Sequence, residues 1–311
     1  MKVCVPRACT ACAIEAPCKI NLHLKVKSLR PDGFHELESL FAALAFGDSL
    51  RFELTGKDGA EELEQAGPRK GELSALPWEK NLVCRALALF REKTGFKAGV
   101  RIELVKRIPL GAGLGGGSSD AASTLLALDL LAGTGLDKGE LLKMAAALGS
   151  DVPFFLTCGA AWVTGRGERI EPAAAPTGLW TVLVKPPFRS GTAGAFRLLD
   201  VRRAGGMPGT RGGREFNSLE WKDILALHPG EWPFYNDFLP VLPQSDVYRD
   251  ICRTLKKLGA PFSGLSGSGS CCFGIFDDRE KAEKAVNSLS GQENFVQLTF
   301  FLARRVDPGI E

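Results

Sequence analysis

The stretch Pro109-Leu110-Gly111-Ala112-Gly113-Leu114-Gly115-Gly116-Gly117-Ser118-Ser119-Asp120-Ala121-Ala122 runs a dense glycine loop straight into an Ala/Leu-rich helical segment. Glycine reaches backbone conformations closed to residues with a Cβ. Successive N–H groups therefore converge on one anion, and the following helix directs its positive end to the same point. A nucleotide phosphate is the guest such a loop implies. Gly111, Gly113 and Gly116 also satisfy G-x-G-x-x-G, with Asp137 at about the downstream distance of a dinucleotide site. A dinucleotide site needs a second parallel strand after the helix, whereas residues 134–145 read as another helix, with Asp137 as N-cap and Glu140 completing a capping box. No Gly-Lys-Ser/Thr follows the glycines, so the Walker loop fails as well. What remains is a phosphate loop of a third kind that carries paired serines. Its alternative is a glycine-rich linker, which does not usually run into a strongly helical apolar segment.

Composition limits the partner. The chain has 311 residues, 45% hydrophobic and 24% charged, enough for two domains with substantial cores. A net charge of +3 is too small to make nucleic acid or a membrane surface the main partner, and no apolar run reaches the roughly 18 residues of a bilayer span. The expected partner is a small molecule. Residues 1–13 do not resemble a secretory signal, so the expected location is cytoplasmic. The nine cysteines read as buried or incidental thiols. Cys4, Cys9 and Cys12 match one iron–sulfur spacing, but a suitably spaced fourth ligand is missing.

Along the chain the pattern is α+β. Ile20, Leu22, Leu24 and Val26 alternate with Lys19, Asn21, His23 and Lys25, the period of a strand with one buried and one polar face, so Lys19 and Asn21 point the same way. The turn Pro31-Asp32-Gly33 folds this strand back toward residues 39–45, and residues 48–54 read as a third strand. Residues 56–80 read as a loop, 81–94 as a helix, 100–105 as the strand feeding the glycine loop and 160–164 as a further strand. A domain boundary is expected near residues 171–178, dividing the chain into 1–171 and 172–311. In the second part, residues 180–185, 271–276 and 296–304 read as strands, and 246–258 and 280–289 as helices. Arg202 to Arg214 reads as a mobile Gly/Arg loop, and a second glycine cluster spans Ser263 to Ser270.

Three segments stand in order: Ala16-Pro17-Cys18-Lys19-Ile20-Asn21, the loop from Pro109, and Gly264 to Ser270. This pattern resembles the GHMP kinase superfamily, and the resemblance implies a two-domain α+β fold with ATP and substrate bound in the cleft between the domains. Within it, Pro17 to Leu22, Arg30-Pro-Asp-Gly-Phe-His-Glu36, the triple glycine of residues 113–122, and Gly149-Ser-Asp-Val-Pro-Phe-Phe155 resemble the branch that phosphorylates a cytidyl-linked methylerythritol on the way to isoprenoid precursors.

The resemblance implies roles. Phosphoryl transfer needs a phosphate clamp, a metal to screen the triphosphate and a group to take the hydroxyl proton. Pro109 to Ser119 is the clamp for ATP with Mg²⁺; Ser118 or Ser119 offers a hydroxyl to phosphate or metal, and the metal's ligands stay unassigned. Asp151 is the expected base, although an Asp two residues before Pro153 also has the form of an N-cap. Lys19 is the second catalytic residue, its ammonium stabilising charge on the transferred group; read without the motif, it is a solvated lysine on a strand face. Asn21 is expected to bond the erythritol end, and Phe34, His35 and Phe196 the cytosine, with Phe34 standing where tyrosine is common. Thr192, Gly267, Ser268 and Gly269 are expected near substrate and phosphates, Asn81 and Leu82 beside adenine, and Lys106 at the nucleotide. Cys18 replaces the usual alanine and is expected to make the site sensitive to alkylation. The protein is expected to be a monomer or weak homodimer. The alternatives are another small-molecule kinase of the same fold, a non-catalytic ATP-binding protein on that scaffold and, last, a dinucleotide oxidoreductase.

Overall fold

The computed structural model describes residues 10–56, 58–71, 77–157, 159–205, 221–291 and 294–310. Cys4 and Cys9 of the cysteine spacing, and residues 206–214 of the Gly/Arg segment, lie outside these. The chain forms two sheets. The first is built on two long strands, β1 (Ala11–Leu29) and β2 (His35–Thr55), joined by the expected turn at Pro31 and paired antiparallel with irregularities after Pro17, Asn21 and Val26. The strand expected at residues 48–54 is thus the second half of β2. Ser49–Thr55 pairs with β4 (Gly99–Val105), while Leu37–Ala42 pairs with β5 (Ala160–Gly165), which carries β6 (Arg169–Ala173). The segment expected to be a loop contains β3 (Glu61–Ala66), parallel to β4 and mostly exposed. Only Leu63 in it signals burial, so its pairing comes from the neighbouring strand rather than from its own pattern.

Helices α1 (Leu82–Thr94), α2 (Gly116–Ala132), α3 (Lys138–Leu148) and the short α4 (Val152–Phe155) pack with this sheet around one core, which includes Phe52, Phe90, Leu125 and Phe154. Two of these helix starts are capped by side chains. Asn81 caps α1 by accepting from Val83 N–H at 3.0 Å. Asp137 and Glu140 make the expected capping box of α3. The helix α2 is apolar nearly all round because it lies buried between α1 and β1.

The second sheet, in the order β10 (Phe295–Phe300), β7 (Trp180–Lys185), β9 (Cys272–Phe276), β8 (Phe262–Leu265), is antiparallel throughout. It is covered by α5 (Thr192–Ala204), α7 (Ser245–Lys257) and α8 (Arg279–Leu289); α6 (Trp221–Leu225) lies between α5 and α7 in the chain. Arg202 and Arg203 belong to α5, not to a loop: Arg202 donates to the Pro240 carbonyl at 2.8 Å and Arg203 to that of Lys27 at 2.9 Å. The expected last strand stops at Phe300. The chain then returns to the first sheet, where β11 (Gly309–Ile310) pairs with β1. A shared core of Ile20, Leu22, Leu44, Leu183, Phe273 and Ile275 joins the sheets.

Beneath the glycine loop lies a buried ion triad. Lys106 Nζ donates to Asp48 Oδ2 at 2.5 Å and to Asp120 Oδ2 at 2.6 Å, and none of the three side chains is more than 4% exposed. The other oxygen of Asp48 accepts the N–H groups of Arg107 (2.6 Å) and Ile108 (2.8 Å), so one carboxylate holds the chain where it leaves β4 for the loop. Two carboxylates share one ammonium in a dry site. Burial, then the charge of Asp48, outweighs Lys106 and pushes Asp120 up to about 7.

Lys106→Met strands two buried carboxylates and is expected to lose about 3–5 kcal/mol in urea unfolding. Because the folded pKa of Asp120 lies above its unfolded value, its contribution to stability is complete below about pH 4 and is lost as pH rises through about 7. Asp120→Asn should flatten that part of the pH dependence of the urea midpoint; an unchanged slope would contradict the assignment. At Gly113, whose φ is +76°, an added Cβ would lie 2.1 Å from the Ser266 carbonyl oxygen. Gly113→Ala is therefore expected to lower stability by more than about 1 kcal/mol in thermal unfolding.

Candidate active site

The polar face of β1 from Lys19 to His23 is buried, not solvated, and Lys25 beyond it is partly exposed. Lys19, Asn21 and His23 are at most 4% exposed because elements distant in sequence cover them. The Trp162 and Tyr235 rings pack on His23, whose imidazole burial pushes down to about 3, leaving it neutral. Phe41 lies under the Lys19 ammonium at 4.6 Å from its ring centroid.

Lys19 Nζ donates to Asn21 Oδ1 at 2.7 Å and stands 3.5 Å from Asp151 Oδ2. Asn21 Nδ2 donates to Ser39 Oγ at 2.9 Å, and Ser39 in turn donates to the His23 carbonyl at 2.5 Å, which fixes which way the Asn21 amide faces. Asp151 directly precedes α4 yet does not cap it. Its backbone is helical (φ −85°, ψ −15°) and its side chain makes no cap hydrogen bond, so the one-third exposed carboxylate faces Lys19 instead. The N-cap reading of Asp151 is corrected accordingly.

These groups sit against the glycine loop. A Cβ on Gly115 would meet Lys19 Cγ at 3.0 Å and Phe155 Cζ at 3.1 Å, so glycine is what lets the lysine pass beneath the loop. Gly115 takes φ +70° and opens α2 with no side-chain cap. The N–H groups of Gly116, Gly117 and Ser118 consequently point out of the helix start, as the first ones of any helix do. Ser119 Oγ and Asp120 Oδ1 are buried there without a hydrogen-bond partner. An added Cβ at Gly111 or Gly117 would make only ordinary van der Waals contact, with Arg189 Cβ at 3.9 Å and Leu82 Cδ1 at 3.5 Å respectively. An uncapped helix start, an orphaned buried hydroxyl and an orphaned carboxylate oxygen suit a phosphate group with its cation. Pro109 and Leu110 lead into this loop, with Ala112 and Leu114 buried under it.

The second glycine cluster closes the other side. Ser266 Oγ donates to the Gly113 carbonyl at 2.8 Å and accepts Asn21 N–H at 3.3 Å; Thr192 Oγ1 and Ser268 Oγ lie 2.9 Å apart. A cavity of about 160 Å³ is lined by Lys19, Asn21, Asp151, Thr192, Phe196 and Ser268, with Gly113, Gly115 and Gly267 also at its wall. Gly269 lies beside it, packed near Tyr248 and Ser190. A larger cavity of about 530 Å³ runs along residues 172–179 and Trp232, but neither glycine loop reaches it. Chemistry, not volume, selects the cleft.

Three expected positions are corrected. Lys106 is locked in the buried triad and points to Asp48 and Asp120, not to the cleft. Cys18 is fully buried and its thiol pushed well above the ordinary range by burial, the opposite of an alkylation-sensitive group. The rings expected to enclose a base are arranged differently: Phe196 stacks on His35 at 5.0 Å, while half-exposed Phe34 lies under the Arg166 guanidinium at 4.8 Å. Asn81 and Leu82 stand at the start of α1, and Leu82 Cδ1 lies 3.5 Å from where a Cβ on Gly117 would stand. Sequence reasoning missed Ser39 and Ser266. Ser266 lay inside the glycine cluster already singled out, whereas Ser39, one serine on an apolar strand, carried no signal.

Comparison with known proteins agrees with this geometry. Residues 81–159 match the family model described as GHMP kinases N terminal domain, and residues 235–294 that described as GHMP kinases C terminal. A 4-diphosphocytidyl-2-C-methyl-D-erythritol kinase of Treponema pallidum (strain Nichols) is 40% identical over 283 residues, covering 89% of this chain and 94% of the relative. One of Burkholderia thailandensis is 45% identical over 280 residues, covering 88% of each. A crystal structure of 4-(cytidine 5'-diphospho)-2C-methyl-D-erythritol kinase superimposes with a TM-score of 0.73 at 33% identity, covering 92% of this chain and 98% of that one. With the two glycine loops, Lys19 and Asp151 meeting in one cleft, the chain belongs to the 4-diphosphocytidyl-2-C-methyl-D-erythritol kinase family of the GHMP kinases.

Proposed function

We propose that this protein transfers the γ-phosphoryl group of ATP to the 2-hydroxyl of 4-diphosphocytidyl-2-C-methyl-D-erythritol, a step of non-mevalonate isoprenoid precursor synthesis. The observation that carries the reading is the contact of Lys19 with Asp151, 3.5 Å apart at the wall of the glycine loop. Asp151 accepts the proton of the attacking hydroxyl as the hydroxyl oxygen bonds to the γ-phosphorus and the bond from that phosphorus to the bridging oxygen breaks, releasing ADP. Lys19 offsets the negative charge gathering on the transferred group; its ammonium is held in place by Asn21 Oδ1 and by the face of Phe41. The helix start of α2 receives the phosphates. Mg²⁺, when bound, screens the triphosphate, and Ser119 and Asp120 have the buried, unpartnered oxygens suited to it. Asn21, Thr192 and Ser268 orient the acceptor alcohol, and His35 with Phe196 forms the nucleoside end. The division into 1–171 and 172–311, a cytoplasmic location and a monomeric or weakly dimeric state complete the proposal. Among the described residues no helix is long and apolar enough to cross a membrane.

The test is phosphoryl transfer from Mg-ATP followed by phosphorus NMR of the product. The wild type should form the 2-phosphate; failure to do so ends this reading. Asp151→Asn and Lys19→Ala should each lower kcat by about 10²–10⁴-fold with unchanged circular dichroism. Full activity in either variant would remove its assigned role.

A further inference from the structure

His35 heads a row on β2. Leu37, Ser39 and Phe41 follow it at a spacing of two, and all three line the cleft, so His35 belongs to the same face. Its ring is 8% exposed and lies flat on Phe196, with centroids 5.0 Å apart and planes 18° from parallel. Phe196 itself lines the cleft. The edge of the same imidazole is engaged as well, since His35 Nε2 is 2.8 Å from Asp200 Oδ1. Phe196 and Asp200 stand four residues apart on α5, hence on one face of that helix. A single helix face thus grips the histidine from above and from the side.

We propose that Asp200 is a positioning residue that sets the tautomer of His35 and, through it, the choice of base. A carboxylate only accepts hydrogen bonds, so Nε2 must carry the proton and donate it. In the neutral ring this leaves Nδ1 as an acceptor, the same arrangement by which an outer carboxylate fixes ligand histidines in metal sites. An acceptor at that position suits a pyrimidine that presents an amino group and disfavours one that presents a carbonyl, whose lone pairs would face the Nδ1 lone pair. This rests on the nucleoside end of the substrate lying at His35, as proposed above. It assigns a cytosine-over-uracil preference to a residue that need not touch the base. A second histidine–carboxylate pair, His228 with Asp277 at 3.3 Å, is about half exposed, and neither residue lines the cleft; burial and the Phe196 stack are what distinguish His35.

The experiment uses CDP and UDP as probes, titrated calorimetrically against wild type, Asp200→Asn and Asp200→Ala, with imidazole ¹⁵N spectra in parallel. His35 is identified among the three histidines by His35→Gln. The wild type should bind CDP about tenfold more tightly than UDP and show His35 protonated on Nε2. In Asp200→Asn the amide either accepts or donates, so the preference should fall to within about twofold, the Nε2–H signature should weaken, and the melting temperature should hold, since Asp200 is half exposed. Asp200→Ala should lose the preference likewise. A wild-type His35 protonated on Nδ1, or variants that keep the full preference, would overturn the assignment. A CDP preference that depends on Asp200 in a protein without phosphoryl transfer would support this role and strike the kinase reading alone.

Discussion

The site depends on one close backbone approach, where the glycine loop before α2 meets the second glycine cluster. At Gly113 the Ser266 carbonyl occupies the place of a side chain, 2.1 Å from where a Cβ would stand. Hydrogen bonds lock the approach from both sides. Cys271 N–H donates to the Ala112 carbonyl at 3.0 Å, Lys19 N–H to that of Leu114 at 2.9 Å, and Ser266 Oγ to that of Gly113 at 2.8 Å. Three segments more than ninety residues apart in the chain are thereby brought to one point, and the two sheets they come from are tied at the cleft. Any side chain at position 113 would have to move backbone, which packed interiors resist.

Charge is handled in two layers around that point. The outer layer faces the cleft, where Lys19 and Asp151 are close enough to hold each other while Asp151 remains one-third exposed. The inner layer is dry: Lys106 between Asp48 and Asp120, joining the end of β4 to the second turn of α2. Because the loop is glycine-rich and lacks internal stiffness, it needs fixed ends. The triad supplies them by anchoring both the strand that enters the loop and the helix that leaves it. Buried ion groups of this type are weak evidence for net stability, but removing one partner is costly, so they specify geometry.

How much was legible in the residues differs with the range of the interaction. The capping box of Asp137 and Glu140 was readable because a cap is a local hydrogen bond between neighbours in sequence. The alternation of β1 correctly placed Lys19 and Asn21 on one side, but not the burial of that side. Burial came from Trp162, Tyr235 and Phe41, none of which is adjacent in the chain. Lys106 illustrates the same limit. A lysine just before the glycine loop reads as a phosphate ligand, and only the approach of Asp48 and Asp120 shows that its charge is already spent. The joining of two expected strands into β2, and the pairing of the weakly patterned β3, likewise depend on neighbours rather than on their own residues.

By itself, then, the sequence determined the glycine loop that runs into a helix, the capping box at Asp137, the alternation of β1 and, through its motifs, the kinase family, because each of these is written in residues within a few positions of one another. Tertiary structure alone decided which charged groups face the cleft and which are consumed inside, that Asp151 turns to Lys19 instead of capping its helix, and that His35 is gripped by Phe196 and Asp200. The physical reason is that a side chain's role follows from its partners and from the water it has lost. Both are set by segments that sequence order keeps far apart.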